Sequence, residues 1–202
     1  MEGVEEELLR QNFLHTIGHS LTEEEYRYFR QNLFRRSFDK KSILAEVSRE
    51  SRYVYFILSG SAYSYYVNKS GDKHVMQFAI EGYWISDQYS YFTGRPGIYT
   101  LETLEPTEVL VLNRESHDKI CQTSHLFEHF FRILMQNAFV ALQYRLAKTN
   151  SEDAEHRYLE FTRLYPHFIN RIPQYLIASY LGIKPQSLSR IRKKVANKQT
   201  SV

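Results

Sequence analysis

Four side chains with metal-binding chemistry recur every fourth residue: His117, Cys121, His125 and His129. On a single helix they would form one stripe of the nitrogen and sulfur donors that zinc prefers. The pair Thr123-Ser124 interrupts the helical pattern, however, and divides the stripe between two helices. Two histidines four apart on a polar helix face are ordinarily solvated, so no metal site is expected. Cys121 would need an exposed thiolate beside a cation to sense redox state. Lys119 is near in sequence, yet a buried structural cysteine is the preferred reading. The chain has no Walker-type phosphate loop, no Gly-x-Ser-x-Gly elbow and no His-Glu-x-x-His, and its scattered carboxylates form no acid–base pair. It does not read as an enzyme, and no cofactor is implied.

The remaining chemistry lies near the end, in "IPQYLIASYLGIKPQSLSRIRKK" from Ile172 to Lys194. Leu176, Ile177, Tyr180 and Leu181 make one apolar helical stripe behind Pro173, a residue suited to a first helical turn. Gly182 stands where helices commonly end in a left-handed residue. Pro185 can open a second helix carrying Leu188, Ile191 and Val195. Two helices joined around a glycine make a helix-turn-helix. No acidic residue follows Glu160, and the eight Lys and Arg beyond it give +8, leaving −5 on the first 160 residues of a +3 chain. A terminal module of one sign is the electrostatic footprint of a polyanion binder.

These helices need a body to carry them. At 202 residues, 43% hydrophobic and 24% charged, the chain can form one ordinary domain and a smaller one. No apolar run is long enough to span a membrane, the acidic "MEGVEEELLR" does not resemble a signal peptide, and a lone cysteine suits the cytoplasm. Residues 1 to about 35 have a helical period, with Ser20 and Glu23 as an expected capping box. From about Arg36 to Asn113 the period falls to two. "YVYFILSGSAYSYYV" breaks at Gly60, "NKSGDK" supplies a hairpin turn before "HVMQFA", and "GIYTLETLEPTEVLVLN" bends at Glu105-Pro106. Short strands so spaced indicate a sandwich or jelly roll. The helical period then returns, in a short helix from His117 and a longer one behind Ser124, and Asn150 to Asp153 caps a further helix. The middle of the long helix is apolar almost all round, with Phe130, Phe131, Ile133, Leu134, Ala138 and Leu142. Such a helix needs two apolar neighbours. The β domain is one, and a second copy of the helix is expected as the other.

A β-roll, a long helix and a helix-turn-helix in this order resemble the Crp/Fnr superfamily of transcription regulators. "IASYLGIKPQSLSRIRK" is very similar to the recognition segment of a large branch of it, and "YVYFILSGSAYSYY" resembles a recurring segment of its β-roll. The resemblance implies an α+β fold with three parts: a cyclic-nucleotide-binding-like jelly roll with N-terminal helices (1–123), a dimerisation helix (124–148) and a DNA-binding domain (149–202). It implies DNA contacts at Lys184, Gln186, Ser187, Ser189 and Arg190, with Arg192, Lys193 and Lys194 towards the backbone. Arginine pairs bidentately with guanine and glutamine with adenine; hydroxyls and lysines mostly hold phosphates. The expected partners are a palindromic double-stranded operator, a second copy of the chain and RNA polymerase, with no membrane. The effector pocket departs from relatives that bind cyclic AMP. Their Gly-Glu and Arg-Ser pairs are matched here by Ser86-Asp87 and Gly97-Ile98. A phosphate without its arginine costs more to desolvate than it gains, so the effector is expected not to be cyclic AMP. Two alternatives stay open: a cyclic-nucleotide regulator using Arg95, and a small-molecule or protein-interaction module with a basic tail.

Overall fold

The computed structural model describes residues 2–200. The fold is α+β, and the chain divides into two compact units. The first holds residues up to 66 and 76–138; the second holds 67–75 and 139 onward.

The first unit is a jelly roll of two four-stranded sheets with helices packed outside it. The strands are β1 (Phe34–Phe38), β2 (Ile43–Ala45), β3 (Tyr53–Ser59), β4 (Ala62–Val67), β5 (Lys73–Ala79), β6 (Trp84–Ile85), β7 (Thr100–Thr103) and β8 (Thr107–Asn113). They are ordered β1-β8-β3-β6 and β2-β7-β4-β5. The period of two sends alternate side chains of β3 to different cores. Tyr55 and Ile57 join Ala62, Ile85, Leu101, Val109 and Val111 between the sheets. Phe56 and Leu58 turn outward with Leu110 and Leu112 against Leu9, Phe13, Phe29, Phe127 and Phe130 of the helices. The first sheet is thus covered on both faces, which explains the nearly unbroken apolar run of β3. Gly60 has φ 93°, and a Cβ on it would lie 2.5 Å from the Pro106 carbonyl oxygen, so the β3–β4 corner accepts only glycine.

The N-terminal region forms α1 (Glu2–Ile17) and α2 (Glu23–Arg30). The capping box falls two residues later than Ser20–Glu23. The Thr22 hydroxyl accepts from Glu25 N–H at 3.3 Å, and the Glu25 carboxylate accepts from Thr22 N–H at 2.7 Å. Leu21 is the reason. It is buried, and Tyr26 packs on the same cluster, which places the apolar residue before the cap where a hydrophobic staple needs it.

After α3 (Gln88–Thr93) and β8 come α4 (Arg114–Thr123) and α5 (His125–Ser151). Ser124, extended at φ −144° and ψ 117°, separates them. The apolar girdle of α5 is not one surface. Phe130 is fully buried and stacks on Phe13 with ring centres 3.8 Å apart, while Phe131 packs on Trp84 and His117. Both belong to this chain's own core and cannot serve a second copy, contrary to the expectation from sequence. Ile133 is half-buried, and Leu134 leans on the same core.

In the second unit, the later part of α5 is followed by α6 (Ala154–Leu164), a 3-10 turn (Pro166–Phe168), α7 (Gln174–Tyr180) and α8 (Pro185–Thr200). Asp153 caps α6 by accepting from His156 N–H at 2.9 Å. The core is Tyr158, Phe161, Phe168, Ile172, Leu176, Ile177, Ala178, Leu181 and Leu188. The start of β5 lies in this unit. The Ser179 hydroxyl accepts from Val75 N–H at 3.0 Å and donates to the Lys73 carbonyl at 2.6 Å.

Candidate nucleic-acid interface and effector pocket

Helices α7 and α8 meet at Gly182, whose φ of 65° is the left-handed turn expected there. Pro173 precedes α7 as its cap rather than opening it, whereas Pro185 is the first residue of α8. Leu188 is buried and Ile191 and Val195 half-buried, so they define the inward face of α8. The opposite face follows from the helical repeat. Gln186, Arg190 and Lys193, at i, i+4 and i+7, lie in one outward line, and all three are exposed. Lys184 and Ser189 are exposed beside them, while Ser187 and Arg192 are half-buried. Lys194 differs from its neighbours, because its ammonium is 2.5 Å from the Glu155 carboxylate on α6. The helix continues through Thr200. This face can offer a planar guanidinium, an amide and the ammonium groups of Lys184 and Lys193 to a polyanion. The carboxylate of Glu155 already faces a third ammonium, that of Lys194.

The roll has the elements of an effector pocket, but its polar groups bond to one another. Asp87 is fully buried and caps α3, its Oδ1 accepting from Ser90 N–H at 3.1 Å. Its Oδ2 accepts from Ile98 N–H at 2.7 Å and Tyr99 N–H at 2.8 Å. The carboxylate is therefore committed to backbone N–H groups, two of them at and beside the segment matching the Arg-Ser pair. Gly97 is buried, and a Cβ there would stand 2.7 Å from Asp87 Oδ2 and 3.1 Å from the Arg49 carbonyl oxygen. A side chain at 97 has no room while that clasp is closed. Ser86 is buried; Arg95 and Ile98 are exposed. The structure thus brings Asp87, Gly97 and Ile98 together, but as a closed loop. Spacing could not reveal this, because an aspartate that receives a ligand and one that receives backbone N–H groups look the same in sequence.

The histidine–cysteine stripe is divided as expected. His125 and His129 are exposed on α5, whereas His117 lies on α4 with Nε2 3.7 Å from Cys121 Sγ and Nδ1 3.2 Å from Asp118. Burial lowers the His117 pKa against the opposing pull of Asp118. Burial, with Asp118 and Glu128 nearby, pushes the Cys121 thiol up to about 11. Among the described residues no group of three or more His, Cys, Asp and Glu is placed to hold a metal ion. No described helix is long and apolar enough to cross a membrane.

Beyond Met135 the apolar positions of α5 turn outward. Phe139, Leu142 and Leu146 recur at i, i+3 and i+7, are 60%, 47% and 57% exposed, and have the exposed Ala138 beside them. Ala138 and Leu142 are among the interface residues expected from sequence, and Phe139 belongs to the same apolar middle of the helix; Leu146 lies beyond it.

Residues 35–124 match the cyclic nucleotide-binding domain family. No curated protein sequence matches the chain. Among solved structures, FixK2 from Bradyrhizobium japonicum is similar at TM-score 0.71 and 16% identity, over 83% of this chain and 86% of that one. The Thermus thermophilus catabolite activator protein is similar at 0.59 and 17%, over 93% and 88%. The c-di-GMP-responsive global regulator CLP of Xanthomonas campestris is similar at 0.64 and 13%, over 86% and 91%.

Proposed function

We propose, from the premise that residues 35–124 are a cyclic nucleotide-binding domain set within the Crp/Fnr fold, that this chain is a sequence-specific DNA-binding transcription regulator working as a homodimer. The observation that carries the reading is the outward line of Gln186, Arg190 and Lys193 on α8, in a segment with no acidic residue after Glu160. A helix of this width fits the major groove, where Arg190 would read guanine and Gln186 adenine. Lys184, Ser189 and Lys193 would hold phosphates, with Ser187 and Arg192 at the edge of the contact. The exposed face of α5 at Ala138, Phe139, Leu142 and Leu146 supports the second copy. Burying each large side chain there contributes roughly 1.5–3 kcal/mol. The reading brings RNA polymerase as a further partner and involves no catalysis, metal or resident cofactor.

The closed clasp of Asp87 on Ile98 and Tyr99 supports an effector other than cyclic AMP. Selection of bound sequences from a random DNA pool tests the function. The expected result is a palindrome with half-sites roughly 34 Å apart, bound with an affinity that falls steeply with salt. Weak binding without sequence preference would overturn it and favour a basic interaction module.

A further inference from the structure

The later part of α5 is exposed on nearly every side. Among residues 136–150 the exceptions are Arg145 and Lys148, both half-buried. At three residues apart they share a face of the helix, and it is not the face of Phe139, Leu142 and Leu146. Lys148 is taken up by the adjoining Glu152. Arg145 instead lies over the ring of Tyr180, with its guanidinium carbon 4.5 Å from the ring centre.

Tyr180 is the last residue of α7, two before the turn at Gly182. Its ring packs in turn on the buried Phe161 of α6, with centres 5.5 Å apart. Thr149, one turn beyond Arg145, also stands near the corner, since a Cβ on Gly182 would lie 3.9 Å from its Cγ2. Covalently, α5 and α6 are joined through Glu152 and Asp153, and each residue has two soft dihedrals. Such a break lets the helices beyond it swing unless side chains tie them down. Tyr144 donates to Glu160 at 2.5 Å, and Arg157 Nη1 donates to the Thr149 carbonyl at 3.1 Å. Those contacts hold α6. Arg145 reaches past α6 to the helix-turn-helix itself, and a cation placed over a ring face fixes rotation as well as distance.

Rotation matters to a dimer on a palindrome. Moving one half-site by a single base pair shifts it by about 3.4 Å along the duplex and turns it by roughly 35° around the axis. We infer that Arg145 is a positioning residue for operator recognition: stacked on Tyr180, it ties the helix-turn-helix to the apolar line of Phe139, Leu142 and Leu146 and so sets the half-site spacing that the dimer accepts. The inference rests on the regulator reading and deepens it, because Leu142 and Leu146 flank Arg145 at i−3 and i+1. The residue that grips the reading module thus shares a helical turn with the face that meets the second copy. Its work is on spacing, whereas Arg190 and Gln186 work on base identity.

The test uses the full-length protein on the selected palindrome, at its selected spacing and with one base pair added or removed. The native chain should bind the altered duplexes about tenfold or more weakly than the selected one. Arg145→Ala should shrink that ratio to about threefold or less while sedimenting as a dimer. Each ratio is measured on one protein sample, so loss of folded protein cancels from it. Tyr180→Leu should shrink the ratio equally, and adding Arg145→Ala to Tyr180→Leu should shrink it no further. An unchanged ratio in Arg145→Ala overturns the proposal, even where affinity falls on all duplexes alike, as loss of a phosphate contact would give. So does a native ratio in Tyr180→Leu, or a further loss in the double variant. A monomeric Arg145→Ala also overturns it, by placing the side chain in the dimer interface. A random pool that returns no palindrome fails the regulator reading and this inference together. A palindrome bound by Arg145→Ala with the native spacing preference fails this inference alone.

Discussion

Arg190 and Lys194 are four residues apart on α8 and equal in charge, yet their surroundings give them different work. Arg190 is exposed on the outward line, while Lys194 is held by Glu155. Arg190→Ala and Gln186→Ala should each cost about 1–3 kcal/mol at the preferred site and relax base preference there. Lys193→Ala should weaken all sequences alike and lower the salt slope by about one, and Lys194→Ala should do so less. Titration over a salt series for specific and scrambled duplexes separates these outcomes. At Asp87, three backbone N–H groups end on one buried carboxylate. Asp87→Ala orphans all three and should destabilise the roll by about 3 kcal/mol or more. Gly97→Ala, forced against Asp87 Oδ2, should also destabilise it; denaturant midpoints measure both. Cys121 gives a pH prediction. The thiolate is the reactive form, and burial that disfavours it moves the pKa to about 11. Alkylation should therefore be slow between pH 7 and 8 and rise only as pH climbs towards 11.

The elements were legible to different degrees, and α5 shows why. Its helical period was plain in the sequence, as were the β3–β4 break at Gly60 and the turn at Gly182, because glycine and periodicity are local signals. Which neighbour covers each turn of α5 is not local. Phe130 and Phe139 are the same residue type on the same helix, but one stacks on Phe13 in the chain's own core and the other is 60% exposed. Only the position of α1 in space distinguishes them. The capping box slipped by two residues for a related reason, since burial of Leu21 chose Thr22 over Ser20. The consequence for α5 is a sharp contrast between variants. Phe139→Glu or Leu142→Glu should convert a dimer to a folded monomer, with native circular dichroism and half the mass in analytical ultracentrifugation. Phe130→Glu should unfold the first unit instead, because even truncation of such a buried ring costs about 3–5 kcal/mol.

At the scale of the whole molecule, residues 35–124 match the cyclic nucleotide-binding domain family, and within them the Asp87 carboxylate is taken up by backbone N–H groups. Cyclic AMP and cyclic GMP are therefore expected to give no heat of binding in calorimetry at millimolar concentration, with saturable micromolar binding the contrary result. The site was half visible in the sequence. Gly97-Ile98 in place of an Arg-Ser pair carries the expectation that a phosphate is poorly held. The closure itself depends on a loop returning eleven and twelve residues after Asp87 to place two N–H groups on one oxygen, which no pattern of residue types specifies.

The small contact at Ser179 has one more consequence. β5 is the last strand of its sheet, and such a strand carries free backbone donors and acceptors that invite pairing with another chain. The Ser179 hydroxyl satisfies one of each, at Val75 N–H and the Lys73 carbonyl, as the backbone of a neighbouring strand would. A single side chain, Ser179, thus occupies two backbone groups at the start of β5 that strand-to-strand pairing with another chain would otherwise use.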